Sequence, residues 1–325
     1  MKRQAISVRR FLFFVLLTVG AFLLSVNHAD AANVRVVTAF GKRYVYLRDI
    51  AAAYGLKTFV WKTKCGIYNK NNRFEFTFEK KEGSINKTKV YFLHAPYLRG
   101  YEPFISELDF LKVVEPILKA RYIQTKKIRT IVIDPGHGAH DVGASGRIHD
   151  EKKLVLNIAL KLKAALRAKG YIVYLTRDRD KFIPLEQRPY IASKYKADLF
   201  ISLHANAAKN KSICGIESFA LTPVGASSTQ DSRINWRKEI GNTYDRQNSI
   251  LTYEIQKAVI KRTGAFDRGV KRARFMVLKT PRCPAVLLEM GFMSNPSEEK
   301  LLGQNYYQQN MASAIAEGIT KFDRR

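Results

Sequence analysis

Two histidines and one glutamate stand at positions where an enzyme could hold a metal ion. Of the six histidines in the chain, His137 and His204 each follow an apolar run that predicts a strand, and Glu151 lies 14 positions beyond His137 at the start of a predicted helix. A catalytic zinc ion takes three His or carboxylate ligands and keeps one position open for water. The three residues therefore predict a zinc site. Taken singly, each also has a structural interpretation, as a loop histidine or as a carboxylate at a positive helix N-terminus.

A further carboxylate, Glu289, ends the apolar run of residues 284–288. That run predicts a strand that is buried on both faces. A carboxylate there costs free energy unless it has a function or a partner. A structural ion pair is the alternative to a chemical role.

The elements around these residues alternate between strand and helix. Predicted strands cover residues 130–133, 171–175, 198–203, 215–221, 275–278 and 285–289, and predicted helices cover 154–166, 185–195, 251–262 and 304–322. This order predicts an α/β fold with a twisted, mostly parallel sheet that is flanked by helices on both faces. His137 and His204 then lie at the carboxyl ends of strands, where such sheets place their sites.

The amino terminus predicts export. Residues 1–31 combine four basic residues with the apolar run 11–26 and a small-residue ending at Ala29-Asp30-Ala31, which is typical of a signal peptide, with an uncleaved anchor as the alternative. Its removal takes away four basic residues and one acid, so the net charge falls from +28 to +25. Such a charge favours adhesion to a polyanion outside the cytoplasm. Without a nucleic-acid-binding motif, nucleic acid is not an expected partner.

Residues 32–118 predict a small α+β domain with strands at 35–38, 44–47, 74–78 and 90–92 and a helix at 105–118. Its residues 44–50, followed by Tyr54-Gly55-Leu56, resemble the amino-terminal stalk domain of copper amine oxidases. The resemblance implies a binding or spacer module without copper. Residues 119–127 are basic and polar and predict a linker, so the catalytic domain is expected to span 128–325.

Three cysteines allow at most one internal disulfide, and none of them is in a C-x-x-C motif. Cys214 and Cys283 could approach each other within the catalytic domain. Free thiols, including Cys65, are equally compatible with the sequence.

Five motifs in the catalytic domain occur in the order and spacing of one family. They are Ile133-Asp134-Pro135-Gly136-His137-Gly138, Glu151-Lys152, Leu175-Thr176-Arg177-Asp178, residues 200–206 and residues 287–295. With them the chain resembles the zinc-dependent N-acetylmuramoyl-L-alanine amidases of the type-3 catalytic class. The resemblance implies one zinc ion on His137, Glu151 and His204, with Glu289 as the catalytic carboxylate. It also implies peptidoglycan as substrate, cut between N-acetylmuramic acid and L-alanine. The export signal predicts a location in the periplasm or cell envelope of a bacterium.

Three more residues are candidates for binding substrate: Arg177, Asn206 and Arg268. The two arginines could meet peptide carboxylates or serve as structural ion-pair partners. The chain departs from the family pattern at Ala139-His140 and in residues 222–248. In some relatives an inserted helix there blocks the site until an activator protein removes it, and the sequence leaves both autoinhibition and an activator open. A zinc peptidase acting on stem peptides and a non-catalytic wall-binding protein are the alternatives.

Overall fold

A computed structural model describes residues 34–123 and 126–325. The predicted signal peptide lies outside these residues. Among the helices that the structure describes, none is long and apolar enough to cross a membrane.

The strands are short in the first part of the chain and longer in the second. In chain order they are β1 (Val36–Ala39), β2 (Lys42–Tyr46), β3 (Lys57–Trp61), β4 (Lys64–Tyr68), β5 (Arg73–Thr77), β6 (Glu82–Ile85), β7 (Thr88–Tyr91), β8 (Tyr97–Arg99), β9 (Glu102–Ser106), β10 (Thr130–Pro135), β11 (Ile172–Leu175), β12 (Leu199–Asn206), β13 (Ile216–Leu221), β14 (Ala226–Ser227), β15 (Ile234–Asn235), β16 (Asp267–Ala273) and β17 (Ala285–Phe292).

The helices concentrate after residue 150. They are α1 (Leu47–Ala53), α2 (Glu107–Asp109), α3 (Glu115–Leu118), α4 (Ala120–Ile123), α5 (Glu151–Arg167), α6 (Gln187–Lys194), α7 (Asp245–Thr263), α8 (Met276–Lys279), α9 (Pro296–Gly303) and α10 (Asn305–Asp323). A π-helical turn, Phe110–Val114, joins α2 to α3, and a 3₁₀ turn, Ile240–Tyr244, precedes α7. The predicted linker therefore contains α4, in which Ala120 is buried.

The predicted α/β fold is confirmed. Strands β11, β10, β12 and β17 are parallel neighbours, β13 runs antiparallel to β17, and β16 is parallel to β13. Alternate residues of the central strands face two separate cores. Ile131 and Ile133 pack in the core formed with α5, α7 and α10, whereas Val132 packs in the core that includes α6 and α8.

The predicted strand at residues 275–278 is wrong. The chain forms helix α8 there, and the strand beside β13 is the preceding segment, Asp267–Ala273. Val277 and Leu278 are the buried residues of α8. Two adjacent apolar residues occur in a short helix as well as in a strand, so they do not distinguish the two. The segment 267–273 is rich in charged residues, and its position in the sheet comes from tertiary contacts to buried partners such as Glu217.

The amino-terminal strands continue the catalytic sheet. Val90 of β7 pairs with Val270 of β16, and the antiparallel strands β6, β5, β4 and β3 follow, which makes one sheet of eleven strands. Strands β1, β2, β9 and β8 form a separate four-stranded sheet. Tyr253 of α7 is buried in the same core as the amino-terminal residues. The amino-terminal region thus shares both a sheet and a core with the rest of the chain.

Candidate metal centre and active site

The structure brings His137, Glu151 and His204 together. His137 follows β10, His204 lies near the end of β12, and β10 and β12 are paired in register up to Pro135 and Leu203. Glu151 is the first residue of α5. One ligand atom of each side chain lies within 4.8 Å of the others. The Glu151 Oε1 atom is 3.2 Å from His137 Nε2 and 3.0 Å from His204 Nδ1.

His137 is held in a strained backbone conformation. Its φ of 61° is in the left-handed region, which residues with a side chain rarely adopt. The Arg188 guanidinium donates a 3.0 Å hydrogen bond to the His137 carbonyl and a 2.9 Å bond to the buried Asp134 carboxylate. Gly136 leaves space for the neighbouring ring, because a Cβ there would lie 2.3 Å from the His204 imidazole. The fold therefore maintains a costly loop shape that aims one imidazole at Glu151.

Asp141 orients the His137 ring. Its Oδ1 atom lies 2.8 Å from His137 Nδ1, which leaves Nε2 toward Glu151. A carboxylate on the outer nitrogen of a ligating histidine fixes the ring tautomer and raises its basicity. Sequence reasoning missed Asp141. The sequence feature that could have identified it is a carboxylate only four residues after a candidate metal ligand.

Hydrogen bonds keep Glu151 ionised. Burial acts to raise the pKa of its carboxyl group, but bonds from His137 and His204 outweigh burial and lower the pKa below its usual range. Its two oxygens also accept backbone N–H bonds from Ala144 at 2.8 Å and Ala205 at 2.9 Å. For His137, burial acts to lower the pKa, but Glu151 and Asp141 together raise it. The cluster therefore attracts positive charge.

Glu289 lies beside this cluster. It is the register partner of His204 on one side and of Glu217 on the other. Among the residues that the structure describes, its Oε2 atom is buried without a hydrogen-bond partner. Burial raises the pKa of this carboxyl group well above its usual value, repulsion from Glu151 and Glu217 adds to this, and Lys271 opposes it. Such a carboxyl group is suited to holding and passing on a proton.

The residues present fit a zinc ion. Two imidazole nitrogens and one carboxylate oxygen converge, which is the three-ligand donor set of catalytic zinc sites. The unpartnered Glu289 oxygen lies on the strand next to a ligand, where a water or substrate group would satisfy it. The zinc ion itself stays a proposal.

The structure places Asn206 and Arg268 around a buried carboxylate, Glu217. The Asn206 amide donates to Glu217 Oε1 at 3.0 Å, the Arg268 Nε atom donates to Oε2 at 2.9 Å, and the Lys271 ammonium also donates to Oε2. The Arg268 guanidinium further stacks over the Phe292 ring at 4.9 Å. Sequence reasoning missed Glu217, although a glutamate inside the apolar strand 215–221 was a visible signal.

Arg177 lies beneath the His137 loop. Its buried guanidinium donates to the carbonyls of Pro135, Gly136, Lys152 and Arg179. These bonds favour a positioning role within the protein over a contact with substrate. The three cysteines are free thiols, with Cys65 and Cys283 buried and Cys214 partly exposed.

The segment 222–248 packs on the amino-terminal region and on β16. It contains β14, β15, the 3₁₀ turn and the start of α7. Its hydrogen bonds include Lys81 to Ser227, Arg272 to Thr229 and Arg274 to Asp231. These contacts tie the segment to the amino-terminal region and to the end of β16.

Comparison with known proteins gives the same family along most of the chain. Residues 131–321 match the family model described as N-acetylmuramoyl-L-alanine amidase. AmiA of Escherichia coli strain K12, an N-acetylmuramoyl-L-alanine amidase, is 35% identical over an alignment of 255 residues that covers 71% of this chain and 88% of AmiA. LytC of Bacillus subtilis strain 168, another such amidase, is 37% identical over 196 residues, which are 60% of this chain and 36% of LytC.

Solved structures of amidases share the fold. The catalytic domain of CwlV from Bacillus (Paenibacillus) polymyxa var. colistinus has a TM-score of 0.51 at 33% identity and covers 60% of this chain and 98% of that domain. AmiC2 of Nostoc punctiforme has a TM-score of 0.52 at 32% identity, with 61% and 98% covered. CwlD of Clostridioides difficile, solved with the GerS lipoprotein, has a TM-score of 0.51 at 29% identity, with 60% and 98% covered. The family model matches 191 residues of the chain, and these include the three candidate metal ligands. This chain therefore belongs to the N-acetylmuramoyl-L-alanine amidase family.

Proposed function

We propose that this protein is an exported zinc enzyme that hydrolyses the amide bond between N-acetylmuramic acid and L-alanine in peptidoglycan. The family supplies the reaction, and the convergence of His137, Glu151 and His204 beside Glu289 is the observation that carries the proposal. Residues 1–31, which lie outside the described residues, supply the argument for export to the periplasm or cell envelope.

His137, Glu151 and His204 would hold the zinc ion. When bound, zinc supplies a Lewis acid toward the scissile carbonyl and lowers the pKa of water toward neutrality. Asp141 keeps the Nε2 atom of His137 directed toward Glu151, and the backbone N–H groups of Ala144 and Ala205 hold the Glu151 carboxylate. The site is therefore preorganised by bonds that are present before any ligand binds.

Glu289 moves the proton. Its carboxylate accepts a proton from the attacking water and delivers it to the nitrogen of the departing amine, which leaves a carboxylate on the sugar and a free amino terminus on the peptide. Its buried, unpartnered Oε2 atom and raised pKa support this role. Arg177 positions the His137 loop, and Arg268 and Asn206 hold Glu217 next to Glu289 while remaining candidates for substrate contact.

The metal requirement is tested by stripping the protein with a chelator and adding zinc back. We expect peptidoglycan hydrolysis to stop on removal and to return with about one zinc ion per chain. Hydrolysis that continues in the stripped protein would contradict the zinc assignment, even if the amidase reaction itself is correct.

Regulation by a protein partner is the second part of this proposal. CwlD, a structural relative, was solved in complex with the GerS lipoprotein. The segment 222–248 packs on the amino-terminal region, and this supports regulation through a partner more than blockage of the site by this segment. The test compares peptidoglycan hydrolysis by the purified protein with hydrolysis by a variant in which residues 228–238 are replaced by a Gly-Ser loop. Blockage of the site by the segment predicts a more active variant, whereas regulation through a partner predicts equal activity.

A further inference from the structure

A cavity of about 340 Å³ lies where the amino-terminal region meets the segment 222–248. We call it the seam cavity. Lys42, Lys81, His94 and Phe40 line it from one side, and Ser227 and Ile234 line it from the other. No metal ligand and no residue of the Glu217 cluster lines it. The seam cavity is therefore a separate concave surface.

Two lysine ammonium groups line the seam cavity, and none of its described lining residues is a carboxylate. Neither Lys42 nor Lys81 forms an ion pair within the described residues, and the Lys81 ammonium donates its hydrogen bond to the Ser227 hydroxyl at 2.8 Å. Burial lowers the pKa of Lys81, Asp109 opposes this, and Lys42 lowers the pKa further. Two ammonium groups that repel each other are stabilised when an anion binds between them.

His94 adds a neutral donor. Burial lowers its pKa to about 4, and the charges of Lys42 and Lys81 contribute. At neutral pH its imidazole is thus uncharged and offers one N–H group and one acceptor nitrogen.

The nearby carboxylate of Asp109 is already committed. Its oxygens accept bonds from the Leu93 and His94 N–H groups and the Ser106 hydroxyl, and its charge acts on the buried Arg272 guanidinium. The Asp109 carboxylate is therefore bound by groups of the protein interior, and the two lysine ammonium groups remain available to a ligand.

Apolar side chains complete the wall. The Phe40 side chain is 80% exposed, and its ring meets Tyr97 edge-on at 5.6 Å. Ile234 is 41% exposed on the opposite side. An exposed aromatic face beside a few polar groups is typical of a site for a small ligand that has an apolar face and polar substituents. A sugar ring has this character.

We propose that the seam cavity binds an amino sugar that carries a free carboxylate, with the carboxylate on Lys42 and Lys81 and the ring against Phe40. The choice of this sugar rests on the proposed function, because hydrolysis of the amide leaves a free carboxylate on N-acetylmuramic acid. The cavity would then hold glycan that the enzyme has already cleaved. Its volume suits one sugar residue with its substituents.

Calorimetric titration of the full protein with N-acetylmuramic acid tests this proposal. N-acetylglucosamine, which has the same ring without the carboxylate, is the matched ligand control. We expect it to bind at least about tenfold more weakly, because the lysine contacts are lost. Lys42→Ala and Lys81→Met should each weaken binding of N-acetylmuramic acid about tenfold or more, whereas Lys57→Ala, which removes an exposed lysine of β3, should leave it unchanged.

Equal binding of the two sugars, or unchanged binding in both cavity variants, would overturn the proposal. Inorganic phosphate that binds more tightly than N-acetylmuramic acid and displaces it would also overturn it, in favour of a phosphate site. Lys42 is partly exposed, so its variant serves as the test if Lys81→Met lowers the Tm. Hydrolysis of a soluble muropeptide is measured in the same variants. In the unaltered protein, hydrolysis without sugar binding would reject only the seam cavity, and sugar binding without hydrolysis would reject only the proposed function.

Discussion

His204 and Glu289 are register partners on two neighbouring parallel strands, β12 and β17. Paired residues of adjacent strands point to the same face of a sheet, and the strands lie about 4.8 Å apart. A candidate metal ligand and a candidate proton carrier are thus held side by side by backbone pairing. Because the two side chains have different proposed roles, replacing them one at a time should affect zinc binding and turnover differently.

Replacing Glu289 by Gln is expected to lower kcat about 10²- to 10⁴-fold, because the amide cannot carry the proton. Zinc content should stay near that of the unaltered protein, since Glu289 is not in the ligand cluster. His204→Ala should lose both zinc and turnover. Metal analysis and peptidoglycan hydrolysis on the same samples check this, with Glu79→Gln, an exposed carboxylate, as control. Full turnover in the Glu289 variant would remove it from the mechanism.

Replacing Asp141 by Ala should weaken zinc binding about 10- to 100-fold, since loss of an outer partner frees the ligating ring to rotate. Competition with a chromophoric chelator measures this affinity. Asp178→Ala is the control, because that carboxylate is exposed and its ion pair with Arg179 spans 4.0 Å. Equal affinities in the two variants would show that Asp141 does not orient His137.

Zinc affinity should fall as the pH is lowered. Burial acts to lower the pKa of His137, but Glu151 and Asp141 raise it above its ordinary value, so the metal-free protein holds a proton there below that raised pKa. Zinc must displace this proton, so affinity is highest above the pKa and falls below it by about tenfold per pH unit for each proton released. Chelator competition between about pH 5 and pH 8 tests the sign. A pH-independent affinity would contradict it.

Removing the Glu217 carboxylate should destabilise the protein. Glu217→Leu leaves the buried Lys271 ammonium without a partner, which costs roughly 3–5 kcal/mol in the free energy of unfolding. In the double variant Glu217→Leu, Lys271→Met the loss should be smaller, because the buried Lys271 charge is gone and only the partly exposed Arg268 guanidinium lacks its partner. Denaturant unfolding compares the two. A double variant less stable than the single one would reject the pair as the source of the effect.

Deletion of residues 34–118 should yield a protein with a lower Tm that aggregates. It uncovers the β16 edge at Val270 and the buried Tyr253 ring, and an exposed edge strand pairs readily with other chains. Thermal unfolding and light scattering measure this. A soluble fragment that keeps the Tm of the whole protein would indicate that the shared sheet contributes nothing to stability.

The sequence predicted the elements whose pattern is local. The apolar runs that became β10, β12 and β17 are buried on both faces, and a run of that kind identifies a central strand without any knowledge of its neighbours. His137 and His204 could be selected because they follow such runs. Glu151 could be selected because it starts a helix with apolar residues at helical spacing.

Features that depend on distant partners were missed. Strand β16 is charged because Lys271 and Arg268 meet Glu217 across the sheet, and no local pattern marks such a strand. The pairing of Val90 with Val270 joins residues 180 positions apart, so no local pattern indicates that the two regions share a sheet. Asp141 acts through a loop whose shape depends on Arg188 and on the strained φ of His137.

The most direct measurement is mass spectrometry of the products released from purified peptidoglycan, with and without a chelator. We expect intact stem peptides with a free L-alanine amino terminus, and no release when the metal is removed. Products cut inside the stem peptide would make the protein a peptidase, and binding without release in the presence of zinc would contradict the account of His137, Glu151, His204 and Glu289 as an active site.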